Sequence, residues 1–299
     1  MTRSIEKYLN QFLNQTFSST IHSLQFKTIG GGCINETYEV TLNANNKFFL
    51  KINSIARYPG LLANEKSGLE FLAQYRVIRV PAVVACGETN GYQILVLEWI
   101  EGGIKSGEFW KTFGEQLAAL HRQTWVNNDA QVLFGFRENN YMGSLPQYNQ
   151  PSENWIDFFR QYRLEPQIKL AIEKRLLQTK HMSAFESLSS RLAQIFEPEK
   201  SALLHGDLWS GNFMCDEHSD PVLIDPAVYF GHRSMDLAMS TLFGGFDQVF
   251  YEAYNYHFPF PENYREQWEI CNLYPLLIHL NLFGRGYLSQ IESTLRRFS

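Results

Sequence analysis

The sequence predicts an α+β chain in two unequal parts: a small five-stranded antiparallel sheet with one helix, then a larger, mainly helical portion. Three observations predict it. Apolar residues alternate with period two in KFFLKIN (47–53). Asn90-Gly91 lies between two apolar runs, the strongest short-range hairpin signal. After Glu101-Gly102-Gly103 the apolar spacing becomes helical. The break near residue 100 divides the chain into a unit over 1–100 and one over 101–299.

The elements follow in order. Ile5, Tyr8, Leu9, Phe12 and Leu13 recur at helical spacing and predict a helix over 4–17. FKTIGGGCINETYEVTL (26–42) reads as strand, glycine turn, strand, because Gly30, Gly31 and Gly32 permit backbone shapes other residues avoid. KFFLKIN (47–53) is a third strand, with Phe48, Leu50 and Ile52 on one face and Phe49 and Lys51 on the other. A helix around 61–75 turns Leu62, Leu69 and Leu72 to a core and carries Glu65 one turn in. VPAVVACGETNGYQILVLEWIEG (80–102) is the hairpin. Beyond it, helical periods mark 107–123, 153–177, 183–196, 235–243 and 266–290. Residues 126–150 lack a period and are rich in Asn, Gly, Pro and aromatics. So long a loop either packs on its own rings or serves a site.

Composition narrows the function. Hydrophobic residues at 44% and charged residues at 19% describe a folded chain and exclude disorder. A net charge of −5 and the lack of any Lys/Arg-rich run argue against a nucleic-acid partner. No apolar run is long enough to span a bilayer, and the N-terminus lacks a signal-peptide pattern. Cys33, Cys86, Cys215 and Cys271 are scattered, without a CxxC pair, which fits a reducing cytoplasm.

The chemistry concentrates in LLHGDLWSGNFM (203–214). Its apolar flanks predict two short buried strands around a loop carrying Asp207 and, five residues on, Asn212. Asp225 follows the apolar run VLI (222–224). A carboxylate and an amide oxygen are the ligand types Mg²⁺ prefers. Upstream, IGGGCIN (29–35) is a turn that could approach phosphates, Lys51 a strand lysine that could hold them, and Glu65 an acid that could hold Lys51. Backbone groups of LVLEWIEG (95–102), at Glu98, Trp99 and Ile100, could bond an adenine edge. No Walker GxxxxGK[ST] occurs.

That order of parts is the order of the protein-kinase-like fold, a bilobal arrangement. HGD in place of HRD, and DPA in place of DFG, resemble its small-molecule branch, which includes aminoglycoside and choline kinases. FGFRENNYMGSLPQYN, WIDFFRQYRLEPQ, HGDLWSGN, LIDPAVYFGHRSMDLAMSTLFGGF and YPLLIHLNLFG together resemble the fructosamine kinase (ketosamine-3-kinase) family, from the GGGCIN loop to about residue 290.

The resemblance implies transfer of the γ-phosphoryl of ATP, with Mg²⁺, to the 3-hydroxyl of a ketosamine. The acceptor would be a ribulosamine, erythrulosamine or fructosamine adduct of an amine or a protein lysine, and the product would break down to return the free amine. It assigns Asp207 as the catalytic acid of HGD, Asn212 and Asp225 as metal ligands, and Lys51 and Glu65 as the phosphate-holding pair. Gly30, Gly31, Gly32 and Cys33 would cover the phosphates. Cys33 is there either a small filler or an oxidisable thiol. Trp209 would stack on substrate or pack the loop. Asp236 reads as a cap of the helix it opens or a brace of the loop near His205, His205 as a loop brace, and His121 and His279 as core histidines. An aminoglycoside- or choline-type kinase is the alternative enzyme, and an ATP-binding pseudokinase the alternative class. The chain retains Lys51, Asp207, Asn212 and Asp225, whereas a pseudokinase would lack one of them.

Overall fold

A computed structural model of the protein describes residues 3–16, 23–30, 34–43 and 46–298. Gly31, Gly32 and Cys33 lie outside the described residues. Helix α1 (Arg3–Thr16) precedes strands β1 (Leu24–Ile29), β2 (Glu36–Leu42) and β3 (Asn46–Ser54). Helix α2 (Leu61–Ala73) and the hairpin β4 (Val83–Thr89) and β5 (Tyr92–Glu98) complete this part. The strands form one antiparallel sheet in the order β1-β2-β3-β5-β4. Asn90 (φ 47°) and Gly91 (φ 83°) are both left-handed, as a two-residue hairpin turn of this hand requires.

The two faces of β3 separate as alternation predicts. Leu50 and Ile52 are buried with Tyr38, Val40, Ile94 and Val96, under Leu9 and Leu13 of α1. Phe49 and Lys51 turn instead to a cavity. Leu62, Leu69 and Leu72 of α2 join the second, larger core.

That larger core belongs to the helical part. It comprises α3 (Phe109–His121), a small hairpin β6 (Asn140–Met142) and β7 (Leu145–Gln147), then α4 (Trp155–Phe158), α5 (Glu165–Glu173) and α6 (Thr179–Ile195). Strands β8 (Ala202–Leu204), β9 (Phe213–Cys215), β10 (Pro221–Leu223) and β11 (Tyr229–Gly231) follow. The chain closes with α7 (Ser234–Met239), α8 (Gln248–His257), α9 (Tyr264–Cys271), α10 (Leu273–Phe283) and α11 (Leu288–Phe298). Helices α3 and α8 meet at Gly114, where a Cβ would lie 2.3 Å from the Phe250 carbonyl oxygen. Rings of Trp110, Phe113, Phe213, Phe246 and Phe250 pack around that contact, Trp110 and Phe113 stacked and the others edge to face or tilted, with Phe213–Phe246 and Phe246–Phe250 both at 5.0 Å. Much of the aromatic content therefore serves the core.

Several helical expectations need correction. The helix expected over 153–177 is α4, a π-turn over Phe159–Leu164, and α5. Pro166, without an N–H, stands at the start of α5, where its missing donor costs least. The helix expected over 266–290 is broken into α9, α10 and α11: α9 ends at its C-cap Asn272, and Gly284 (φ 90°) ends α10. Helix α8 was not expected. Its signal is Asp247, whose carboxylate caps it by accepting from Val249 N at 2.9 Å.

Arg79 ties the two parts together. Its guanidinium pairs with Glu98 at the end of β5 and with Asp216 after β9, and its carbonyl accepts from Leu223 N at 2.9 Å. Gly103 N donates to Cys215 O at 2.9 Å beside it. Asp216 is buried and also accepts from the N–H groups of His218 and Asp220. Burial opposes its charge, but these donors and Arg79 outweigh burial and hold the carboxyl below its ordinary range. A depressed folded pKa stabilises at pH values above the unfolded pKa, and the benefit disappears as pH falls through the folded one. Asp216→Asn should therefore lower Tm at pH 7 by about 4 °C, for a loss of ~2 kcal/mol. The difference from wild type should narrow below about pH 4. Thermal unfolding at several pH values checks this, and a pH-independent difference would contradict it.

Candidate active site

Between the sheet and the helices lies a cavity of about 910 Å³. Its inner end is built by β3, α2 and the segment after β10. Lys51 reaches it because odd positions of β3 face away from the sheet core, and Glu65 because α2 lies across that face. Lys51 Nζ donates to Glu65 Oε1 at 2.7 Å and pairs with Asp225 Oδ1. Lys51 and Glu65 are buried, whereas the Asp225 side chain is 45% exposed. Burial disfavours the ammonium, but the Asp225 and Glu65 carboxylates outweigh it and hold the Lys51 pKa above its ordinary range. Burial pushes the Glu65 carboxyl up, against the pull of Lys51.

Asp225 has φ 55°, a left-handed conformation unusual for Asp at a strand end. The surrounding bonds hold it. Ile224 N donates to Asn212 O at 3.1 Å, Ala227 N to His205 O at 2.8 Å, and the His205 Nε2 bonds Ile224 O at 2.9 Å. The loop with Asp207 and Asn212 and the segment with Asp225 are thus stitched on both sides of the reacting region. Strands β8 and β9 flank that loop as the sequence predicts, though they pair with β11 and β10 and not with each other.

The HGD loop is braced from behind. Asp236 accepts from His205 N at 2.7 Å and Gly206 N at 2.9 Å, and His121 Nε2 lies 3.2 Å from the same carboxylate. His121 Nδ1 meets the Tyr254 hydroxyl at 2.8 Å. Burial lowers the pKa of both His121 and His205, so both are neutral braces. Burial, reinforced by the nearby Asp225 charge, pushes the Asp207 carboxyl up to about 7. Asn212 Nδ2 donates to Asp207 O at 2.8 Å, which commits its nitrogen and leaves the amide oxygen as the end able to meet a cation.

Of the remaining expected residues, Gly30, Glu98, Trp99 and Ile100 line the cavity. The Glu98 carboxylate is engaged by Arg79 and by Ala82 N, and Trp99 Nε1 donates to Glu101 at 2.9 Å. The Glu98 N–H is also committed, donating to Ala82 O at 2.9 Å. Trp209 lines it too, with its indole laid over Gly211, where a Cβ would come within 2.4 Å of the ring. His279 is a correction: it is no core histidine but half-buried in the cavity wall, its Nδ1 bonded to Pro275 O at 2.7 Å.

Sequence reasoning missed other wall residues. Hairpin β6–β7 brings Tyr141, Met142 and Gly143 to the cavity, so the aperiodic 126–150 segment does serve it. Buried amides anchor the hairpin: Asn140 Nδ2 donates to Val228 O at 2.9 Å and Gln147 Nε2 to Ala227 O at 3.0 Å. Phe243, Phe283 and Tyr287 also line the cavity.

A divalent cation can be tested against these donors. Among the described residues no group of three or more His, Cys, Asp or Glu could hold a metal. Asp225 and Asn212 supply hard oxygens on two stitched segments. Mg²⁺ fits such a pair, because it keeps waters and takes substrate phosphates as its remaining ligands.

Comparison with known proteins agrees with this geometry. The family model described as "Fructosamine kinase" matches residues 4–299. A "Probable ketoamine kinase" of Enterococcus faecium is 40% identical over 270 residues, 90% of this chain and 93% of that protein. The "Protein-ribulosamine 3-kinase, chloroplastic" of Arabidopsis thaliana is 37% identical over 276 residues, 90% of this chain and 80% of that protein. The crystal structure of a candidate fructosamine-3-kinase from Haemophilus somnus superposes with a TM-score of 0.87 at 25% identity, covering 98% of this chain and 97% of the other. The small antiparallel sheet, the larger helical part and the cavity between them are thus a bilobal protein-kinase-like fold, and the chain is a phosphotransferase that belongs to the fructosamine kinase family.

Proposed function

We propose that the protein uses Mg²⁺ and ATP to phosphorylate the 3-hydroxyl of a ketosamine, and that the product's breakdown frees the glycated amine. The observation that carries this reading is the convergence of Lys51, Glu65 and Asp225 with Asp207 in one cavity. In this reading residues 1–100 hold the nucleotide and 101–299 carry the catalytic and acceptor groups. Gly30, Gly31, Gly32 and Cys33 cover the phosphates, and the backbone at Glu98, Trp99 and Ile100 meets the adenine edge. Lys51, oriented by Glu65, holds phosphate oxygens. Asp207 accepts a hydrogen bond from the attacking hydroxyl and takes its proton late. Asn212 and Asp225 would hold Mg²⁺, which when bound offsets charge on the phosphates. Trp209 lies against the acceptor.

The relatives named ketoamine kinase and protein-ribulosamine 3-kinase support a glycated acceptor, and the second supports ribulosamine as one of its sugars. The acceptor end also argues against aminoglycoside- or choline-type substrates. Among the described residues the cavity's carboxylates are Glu65, Glu98, Asp207 and Asp225. None comes from the wall over Ile278–Tyr287, whereas strongly cationic substrates call for clustered acids. Among the described residues no helix is long and apolar enough to cross a membrane, and Cys86, Cys215 and Cys271 are free thiols. The cytoplasmic location belongs to this proposal.

The test is nucleotide consumption with ribuloselysine, fructoselysine, choline and an aminoglycoside side by side, with and without Mg²⁺. Mg²⁺-dependent turnover of ribuloselysine above the others is expected. Turnover of choline or the aminoglycoside alone would overturn the reading.

A further inference from the structure

The turn between α7 and α8, LFGGF (242–246), holds a side chain that the phosphoryl-transfer roles do not explain. Phe243 has φ 54°, a left-handed conformation that a bulky residue adopts only under strain. Its neighbours Leu242 and Phe246 pack on the core, but Phe243 remains 38% exposed and lines the cavity. The two glycines that follow, Gly244 (φ 107°) and Gly245 (φ 73°), let the chain turn back so that the ring points inward. The strain is held by tethers to the catalytic loop. Ser210 Oγ donates to Phe243 O at 3.2 Å, and the ring stands edge-to-face on Trp209 at 5.7 Å and 81°. On its other side it meets the His279 ring at 4.7 Å and Tyr287 at 6.4 Å.

The ligand chemistry follows from what surrounds the ring. A ketosamine is a ketose joined to a secondary amine, which is an ammonium near neutral pH. The wall offers that charge no carboxylate of its own. Aromatic faces attract cations without the desolvation demand of a buried acid. Resting on the ketosamine reading above, we propose that Phe243 is a specificity-determining residue whose ring, between Trp209 and Tyr287, grips the ammonium-bearing arm of the acceptor while Asp207 addresses the sugar hydroxyl.

Phe243→Tyr, Phe243→Leu and Phe243→Asn separate this role from packing. Tyr keeps a ring, Leu keeps apolar bulk without one, and Asn removes both while accepting a left-handed backbone. The Leu and Asn variants should raise KM for ribuloselysine by about tenfold. KM for ATP should stay unchanged, and Tyr should stay close to wild type. Asn should also keep Tm at or above the wild-type value, because it relieves strain. A Leu variant with wild-type KM for the ketosamine would overturn the ring's role. So would parallel increases in both KM values with a fallen Tm, which is what a structural residue produces. If wild type turns over no ketosamine at all, the functional reading fails first and this inference with it. If wild type is active and the variants match it, only the inference fails.

Discussion

Replacing Asp207 with asparagine should reduce kcat by about 10³, within the range of general acid–base contributions, and leave KM for ATP nearly unchanged. The amide fills the same volume and its oxygen can still orient a hydroxyl, but it cannot take the proton. The local electrostatics add a second expectation. Burial and the facing Asp225 charge raise the Asp207 pKa, so the ionised carboxylate is a destabilising group at pH 7 in the free protein. Its neutral replacement should leave Tm, measured without nucleotide or metal, at or above wild type. Steady-state kinetics beside thermal unfolding measure both. A residual kcat within tenfold of wild type would mean that positioning dominates and proton transfer adds little.

The parts of this site that were legible from sequence are those governed by short-range rules. Alternation in KFFLKIN placed Lys51 opposite Leu50 and Ile52, and the α2 period placed Glu65 on its approach. Asn90-Gly91 fixed the hairpin that leads to Glu98. Asp207, Asn212 and Asp225 were legible because their loop and strand are local in sequence. The cavity wall formed by Phe243 and the 278–287 segment was not, for physical reasons. Helix α10 is apolar nearly all round, so its period marks no face, and His279 read as core. Phe243 depends on a left-handed turn, and its ring partners Trp209 and His279 lie far along the chain. Hairpin β6–β7 is held by buried Asn and Gln amides, residues whose composition otherwise signals loop. The π-turn over Phe159–Leu164 carries the buried Arg163, whose guanidinium stacks on Tyr229 at 4.0 Å and donates to Asn149 at 2.7 Å. No periodic pattern encodes that contact.

The glycine of HGD carries the second large effect. Gly206 has φ 84°, and a Cβ there would lie 2.0 Å from the Ala227 carbonyl oxygen, which is backbone and cannot swing aside. The Ala227 N–H is at the same time donated to His205 O at 2.8 Å, so the HGD loop and the segment after Asp225 are in direct backbone contact at this point. Any side chain at 206 must push Asp207 and Asp225 apart. Gly206→Ala should therefore destabilise by about 3 kcal/mol, or roughly 6 °C in Tm. It should also reduce kcat by more than about a hundredfold at temperatures where the variant is still folded, since misplacement by an ångström is enough for that. Gly107→Ala is the control, because a Cβ there meets nothing within 4 Å and its φ is not left-handed. If Gly206→Ala unfolds early but keeps near-wild-type kcat below its Tm, the close approach matters for stability alone. If kcat falls while the protein remains folded, the close approach of the loop to Ala227 sets the spacing between Asp207 and Asp225 that phosphoryl transfer depends on.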